Sequence, residues 1–178
     1  MRREYAFTSR WVVPAPVAHC WALLEESLRT GEVPWWPAVR VVPLPVAPTV
    51  GQVVRVEVRS PWGYRLHLAL ALTALTVPHL IAAESSGDLV GRGRLALEER
   101  GAAASALTWT WEVALTRPWM RIASPLLRPA FVAAHALVMR RGERGLREVI
   151  AERSELRNAD NPAVRRRRPR SRRYRGIP

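Results

Sequence analysis

The sequence predicts an α+β protein in which a curved antiparallel sheet of about seven strands wraps around a long C-terminal helix. Three observations carry that expectation. Apolar residues recur with a period of two near the N-terminus and again over about eighty residues after Trp36. They recur at three- and four-residue steps in two other stretches, one before the main run of strands and one after it. The turns between the strands are too short for parallel crossovers, so the strands form a meander.

At 178 residues and 48% hydrophobic, the chain has enough apolar material for one domain with a closed core. That domain is expected over residues 1–156. A wholly disordered chain, a collagen-like repeat and a disulfide scaffold are excluded, since apolar residues are plentiful and Cys20 is the only cysteine. A lone thiol suits a reducing compartment.

Tyr5, Phe7, Ser9, Trp11 and Val13 alternate with Ala6, Thr8, Arg10 and Val12, as in a strand, and Pro14 and Pro16 end it. From Val17 to Leu28 the period lengthens: Val17, Cys20, Trp21, Leu24 and Leu28 form one helical stripe, with Pro16 at its start and Gly31 past its end. Val33-Pro34-Trp35-Trp36-Pro37 is too short and proline-bound for a full helix and reads as a compact turn holding two large rings. Strands follow, punctuated at Pro48 to Gly51, Pro61 to Gly63, Pro78, Gly87 and Gly101. Val54, Val56 and Val58 face one way and Arg55, Glu57 and Arg59 the other. Leu66, Leu68, Leu70 and Leu72 repeat every second residue, which argues against a helix across the longest apolar stretch. Leu89, Gly91, Gly93, Leu95 and Leu97 share one face of the next strand, and Leu107, Trp109, Trp111, Val113 and Leu115 one face of the last. Pro125 and Pro129 bracket a short irregular lead-in. A helix then carries Phe131, Ala134, His135, Val138, Gly142, Gly145 and Val149 on one face to about Glu155. Two glycines three apart inside a helix point to close approach of another backbone.

A six- or seven-stranded sheet is broader than the one long helix that follows it, so part of the concave face is expected to enclose a pocket. Gly91 and Gly93 on that face either leave a hollow or let the sheet bend.

This arrangement resembles the START-like (SRPBCC) superfamily, whose helix-grip fold is shared with the birch-pollen allergen (Bet v 1) and plant hormone receptors. It is most similar to bacterial polyketide cyclase/dehydrase-like members. The resemblance spans residues 4 to about 155. Its carriers are Phe7-Thr8-Ser9 through Pro14-Ala15-Pro16 and Trp21, the Trp35-Trp36-Pro37 cluster, Gly87-Asp88-Leu89, and Trp109-Thr110-Trp111-Glu112-Val113. These are fold markers and none is a catalytic signature. The resemblance implies a cavity for an apolar small molecule. Similar members include lipid carriers, quinone-binding proteins, aromatase/cyclases and proteins with no known ligand.

Strand faces and resemblance together make Leu66, Leu68, Trp109, Trp111, Phe131, His135 and Met139 candidate cavity walls. Trp109 and Trp111 offer flat rings for stacking, though core packing is the alternative for both. Trp35 and Trp36 fall near the usual cavity mouth of the fold, and Trp62 sits between Pro61 and Gly63 at a loop tip, so these three are candidate entrance residues. His135, on the inward stripe, is the polar group expected to touch a ligand. His67 and His79 read as surface residues and Cys20 as a small buried hydrophobe. Histidines at 19, 67, 79 and 135 offer no metal-ligand spacing, and no Cys-x-x-Cys pair exists, so neither metal nor cofactor is expected. Gly87 to Arg94 spells neither a dinucleotide fingerprint nor a P-loop. Glu112 falls opposite the tryptophans, on the wet face.

The formal charge is +13 with every basic residue an arginine, and residues 157–178 hold nine arginines against the single acid Asp160. That segment reads as a disordered basic tail able to contact polyanions or an anionic membrane without sequence preference. No secretory signal or spanning segment is visible, which suits a cytoplasmic protein. The expected function is binding of a small hydrophobic ligand that is lipid, quinone or polyketide-like. The alternatives are a polyketide cyclase/dehydratase-type enzyme and an interaction protein using its basic tail on nucleic acid or an anionic membrane.

Overall fold

The computed structural model describes residues 4–116 and 118–160. Of the segment 157–178, expected to be a disordered tail, residues 157–160 are helical and residues 161–178 lie outside the described residues.

The element order is β1 (Glu4–Val13), α1 (Val17–Thr30), β2 (Val39–Val41), β3 (Val53–Arg59), β4 (Arg65–Thr76), β5 (Leu80–Gly87), β6 (Leu89–Glu99), β7 (Ser105–Leu115) and α2 (Pro118–Asp160). The strands make one curled antiparallel sheet in the order β1-β7-β6-β5-β4-β3-β2. β1 and β2 are its two edges, and α1 connects them. Each strand after β2 pairs with the one before it, as short turns demand.

α1 begins as its sequence requires. Pro16 lacks the amide that a first helical turn leaves unpaired anyway, and its carbonyl accepts from the His19 and Cys20 amides at 3.0 and 3.2 Å. Gly31 closes the helix in the left-handed conformation, φ 76°, donating its N–H to the Ser27 carbonyl. Val17, Cys20, Trp21, Leu23, Leu24 and Ser27 form the buried stripe. The segment after it is two tight turns, Trp36 N–H to the Val33 carbonyl and Val39 N–H to the Trp36 carbonyl.

α2 is longer than the sequence suggests. It starts at Pro118, so the irregular lead-in expected around Pro125 and Pro129 is helical, and it continues past Glu155 to Asp160. The two prolines are one helical step of four apart, so the missing amides fall along a single row. The remaining rows still propagate the helix.

The core gathers at one end of the sheet. Trp11, Leu107 and Leu97 lie in one cross-strand row and are no more than 2% exposed. Trp11, Trp35, Trp36 and Trp109 pack around one another with ring centroids 5.1 to 6.3 Å apart. Leu146 and Ile150 of α2 close this end. The glycine pair on α2 does what its spacing predicts at one position and something different at the other. A methyl group at Gly145 would overlap the carbonyl oxygen of Trp35, whereas one at Gly142 would sit 2.7 Å from the Trp36 indole. A backbone turn meets the first and a ring meets the second.

α2 also guards the edge at β1. Val12 donates its N–H to Glu143 Oε1 at 3.2 Å and accepts from Arg147 Nε at 2.8 Å, and these two side chains pair one helical turn apart at 2.9 Å.

Gly145→Ala tests the seating of α2. Alanine normally favours a helix over glycine, by about 1 kcal/mol. Here the backbone of Trp35 cannot yield, so chemical denaturation should show a net loss of about 1–3 kcal/mol.

Candidate ligand-binding cavity

A partly open cavity of about 290 Å³ lies between the sheet, the Trp35-Trp36 turn and α2, near the lower end of the range for small-molecule sites. It abuts the tryptophan core, three of whose rings, Trp35, Trp36 and Trp109, belong to its wall. Along β1 the filled row at Trp11 gives way to Phe7, whose partners Trp111 and then Gly93 are only half-buried.

Leu66, Leu68, Trp109, Trp111, Phe131, His135 and Met139 all line this cavity. Strand alternation brings the first four to one face, and two helical turns bring the other three together. Further lining comes from β1 (Tyr5, Phe7) and from β3 (Val54, Val56, Val58). The signal for those walls was present in their alternation, which places them on the faces that carry Trp11 and the β4 leucines.

Trp35 and Trp36, expected near an entrance, line the cavity as buried wall residues 3% and 8% exposed. The glycines of α2 draw the turn inward, and both indoles are anchored. Trp35 Nε1 donates to Ser27 Oγ at 3.0 Å and Trp36 Nε1 to the Val138 carbonyl at 2.9 Å. Trp62 is 55% exposed on the β3–β4 hairpin and is not a lining residue, although its neighbours Ser60 and Tyr64 are.

Neither strand glycine leaves a hollow. A side chain at Gly93 would meet the Trp111 ring at 2.8 to 3.0 Å, so the ring occupies the missing volume. At Gly91, φ 153°, the carbonyl of Glu112 takes the space.

His135 is the polar exception in an apolar wall. Its ring stacks on Phe7 with centroids 4.2 Å apart and planes at 18°, and its Nε2 lies 3.5 Å from Ser9 Oγ. Tyr5 also stacks on Phe7 and meets Phe131 edge-on. Burial pushes the His135 pKa down, because the charged imidazolium is the costlier form to desolvate. Trp109 Nε1 is buried with no hydrogen-bond partner, a cost of about 1–3 kcal/mol that the surrounding ring contacts must offset.

Cys20, His67, His79 and Glu112 take the positions that the strand and helix periods suggest. Cys20 is fully buried and burial raises its thiol pKa, which keeps it protonated. His67 and His79 are exposed. Glu112 stands on the outer face, paired with Arg92. Among the described residues no group of three His, Cys, Asp or Glu side chains could hold a metal, and no helix is long and apolar enough to cross a membrane.

The pH dependence of stability follows from His135. Above its ordinary value of 6.5 the folded and unfolded chains are both neutral there, and stability is intact. As pH falls through that value the unfolded chain takes up the proton first, and stability is lost until the folded site protonates too. Thermal unfolding should therefore shift to lower temperature between about pH 7 and pH 5, and His135→Gln should flatten part of that slope. A remainder will persist, because burial and the nearby Arg157 and Arg153 lower the His19 pKa as well.

No protein-family model matches the chain, and no curated protein matches it in sequence. Solved structures do match its shape. TTHA0849 from Thermus thermophilus superposes with a TM-score of 0.63 at 19% identity, covering 84% of this chain and 99% of that one. A START superfamily protein from Mycobacterium smegmatis gives 0.61 at 13% identity, with 83% and 97% covered. The Zhui aromatase/cyclase from Streptomyces sp. R1128 gives 0.54 at 19% identity, with 82% and 97% covered. Shared shape at such low identity speaks to architecture, and that architecture is the START-like helix-grip fold.

Proposed function

We propose that this protein binds a small hydrophobic molecule, of lipid, quinone or polyketide-like character, in the cavity between sheet and α2. The observation that carries the reading is a cavity of about 290 Å³ whose walls are almost entirely aliphatic and aromatic. Open apolar surface of this kind gains free energy when an apolar guest displaces water, at about 25 cal/mol per Å² covered. The START-like fold of its structural neighbours supports the same reading.

A second reading, a polyketide cyclase/dehydratase, is favoured by the likeness to the Zhui aromatase/cyclase and would use the same cavity. Among the described lining residues it finds only His135 with an ordinary pKa near neutrality, so it predicts turnover of a polyketone that is abolished by His135→Ala.

Uptake of an environment-sensitive fatty-acid or quinone probe tests the binding reading. Ala83, 7% exposed on the cavity wall, can be enlarged without disturbing the tryptophan core. Ala83→Leu should weaken probe binding by about tenfold or more while the circular dichroism spectrum is unchanged. Absence of uptake by the unaltered chain would overturn the proposal.

A further inference from the structure

Two neutral polar groups, on Ser9 and His135, meet beside the cavity, and the strand partner of Ser9, Trp109, carries a third. Ser9 and Trp109 are direct cross-strand partners on β1 and β7, and His135 reaches Ser9 from α2. All three are under-satisfied. The only hydrogen bond between Ser9 and His135 is long, at 3.5 Å, and Trp109 Nε1 has no acceptor. By contrast, in the lining Ser27 accepts from Trp35, Trp36 donates to Val138, and Ser60 accepts from the Trp62 amide.

The inward-facing side chains of the same wall carry no formal charge. Among the described lining residues there is no carboxylate, and the one cation, Arg94, is an exposed residue of the outer-face row opposite Thr110. A ligand carboxylate or ammonium placed inside would lose its hydration and find no counter-ion, which is among the costliest events in a protein interior. A neutral oxygen loses far less, and at His135, the member of the pair that lines the cavity, it can replace the one long bond to Ser9 with two better ones.

We propose that the cavity selects a neutral, flat, apolar molecule bearing a hydroxyl or carbonyl oxygen, and that this oxygen docks on the Ser9–His135 pair. The flat body lies against the Trp109 and Trp111 rings. This rests on the hydrophobic-ligand reading above and narrows it to uncharged aromatic alcohols, phenols, ketones or quinones, to the exclusion of ionised fatty acids.

The test uses the full chain at pH 7.5 and three probes of one shape: naphthalene, 2-naphthol and 2-naphthoate. Titration calorimetry or displacement of a bound fluorophore should show 2-naphthol binding about fivefold tighter than naphthalene, the worth of one net hydrogen bond, and at least about tenfold tighter than 2-naphthoate. In the Ser9→Ala/His135→Phe double variant the ratio of naphthol to naphthalene affinity should fall to about one, whatever the change in naphthalene affinity itself. His135→Gln, which keeps a donor and an acceptor, should retain it. Equal or tighter binding of 2-naphthoate overturns the proposal on the unaltered chain alone, whatever the variants do. A naphthol advantage that survives the double variant overturns the assignment to Ser9 and His135. If naphthalene itself fails to bind, the hydrophobic-ligand reading falls along with the narrower one.

Discussion

The structure depends on the contact between α2 and the Trp35-Trp36 turn. Two glycines on one helical face let a backbone carbonyl and an indole come closer than any side chain would allow. That approach completes the tryptophan cluster, because Trp36 reaches Trp11 and Trp109 only from this position and is locked there by its bond to the Val138 carbonyl. One half of the helix is thereby fixed against the sheet. The other half, carrying Phe131, Ala134 and His135, spans a width of sheet that it cannot fill. Tight seating at one end and empty space at the other are two results of the same geometry.

Large side chains divide the interior in the same way. Trp11, Leu97 and Leu107 form a row in which each residue fills the space left by the next, and solvent is excluded. A few residues along the same strands, the row of Phe7, Trp111 and Gly93 has the aromatic rings but no helix side chain pressed down to cover them all. Gly93 lets the Trp111 ring lie across its own strand, so the floor of the cavity is flat. Flat aromatic floors suit planar guests, which gain stacking contact over a whole face.

Much of this is legible in the residues. Period-two alternation fixes which side of each strand is dry, and by itself it puts Leu66, Leu68, Trp109 and Trp111 on the cavity face. The helical period does the same for Phe131, His135 and Met139. What alternation cannot express is contact between elements far apart in sequence. Nothing local to Trp35 or Trp36 says that Gly142 and Gly145, over a hundred residues later, will draw them inward as buried wall residues. Ser9 is visible as a polar residue on an otherwise apolar face, yet its partner His135 lies on another element, 126 residues away. The prolines of α2 mislead for the opposite reason: a local rule about helix breaking is outweighed by the residues on either side.

Glu143 and Arg147 occupy the backbone of β1 at Val12, and at the far side of the sheet β2 is only three residues long. A row of open amides and carbonyls is a template on which a second chain can nucleate a shared ladder, and from there a fibril. Here one border is partly taken by a salt-bridged pair and the other is too short to register a neighbour. With both borders blunted, the sheet offers little template for edge-to-edge pairing with another chain.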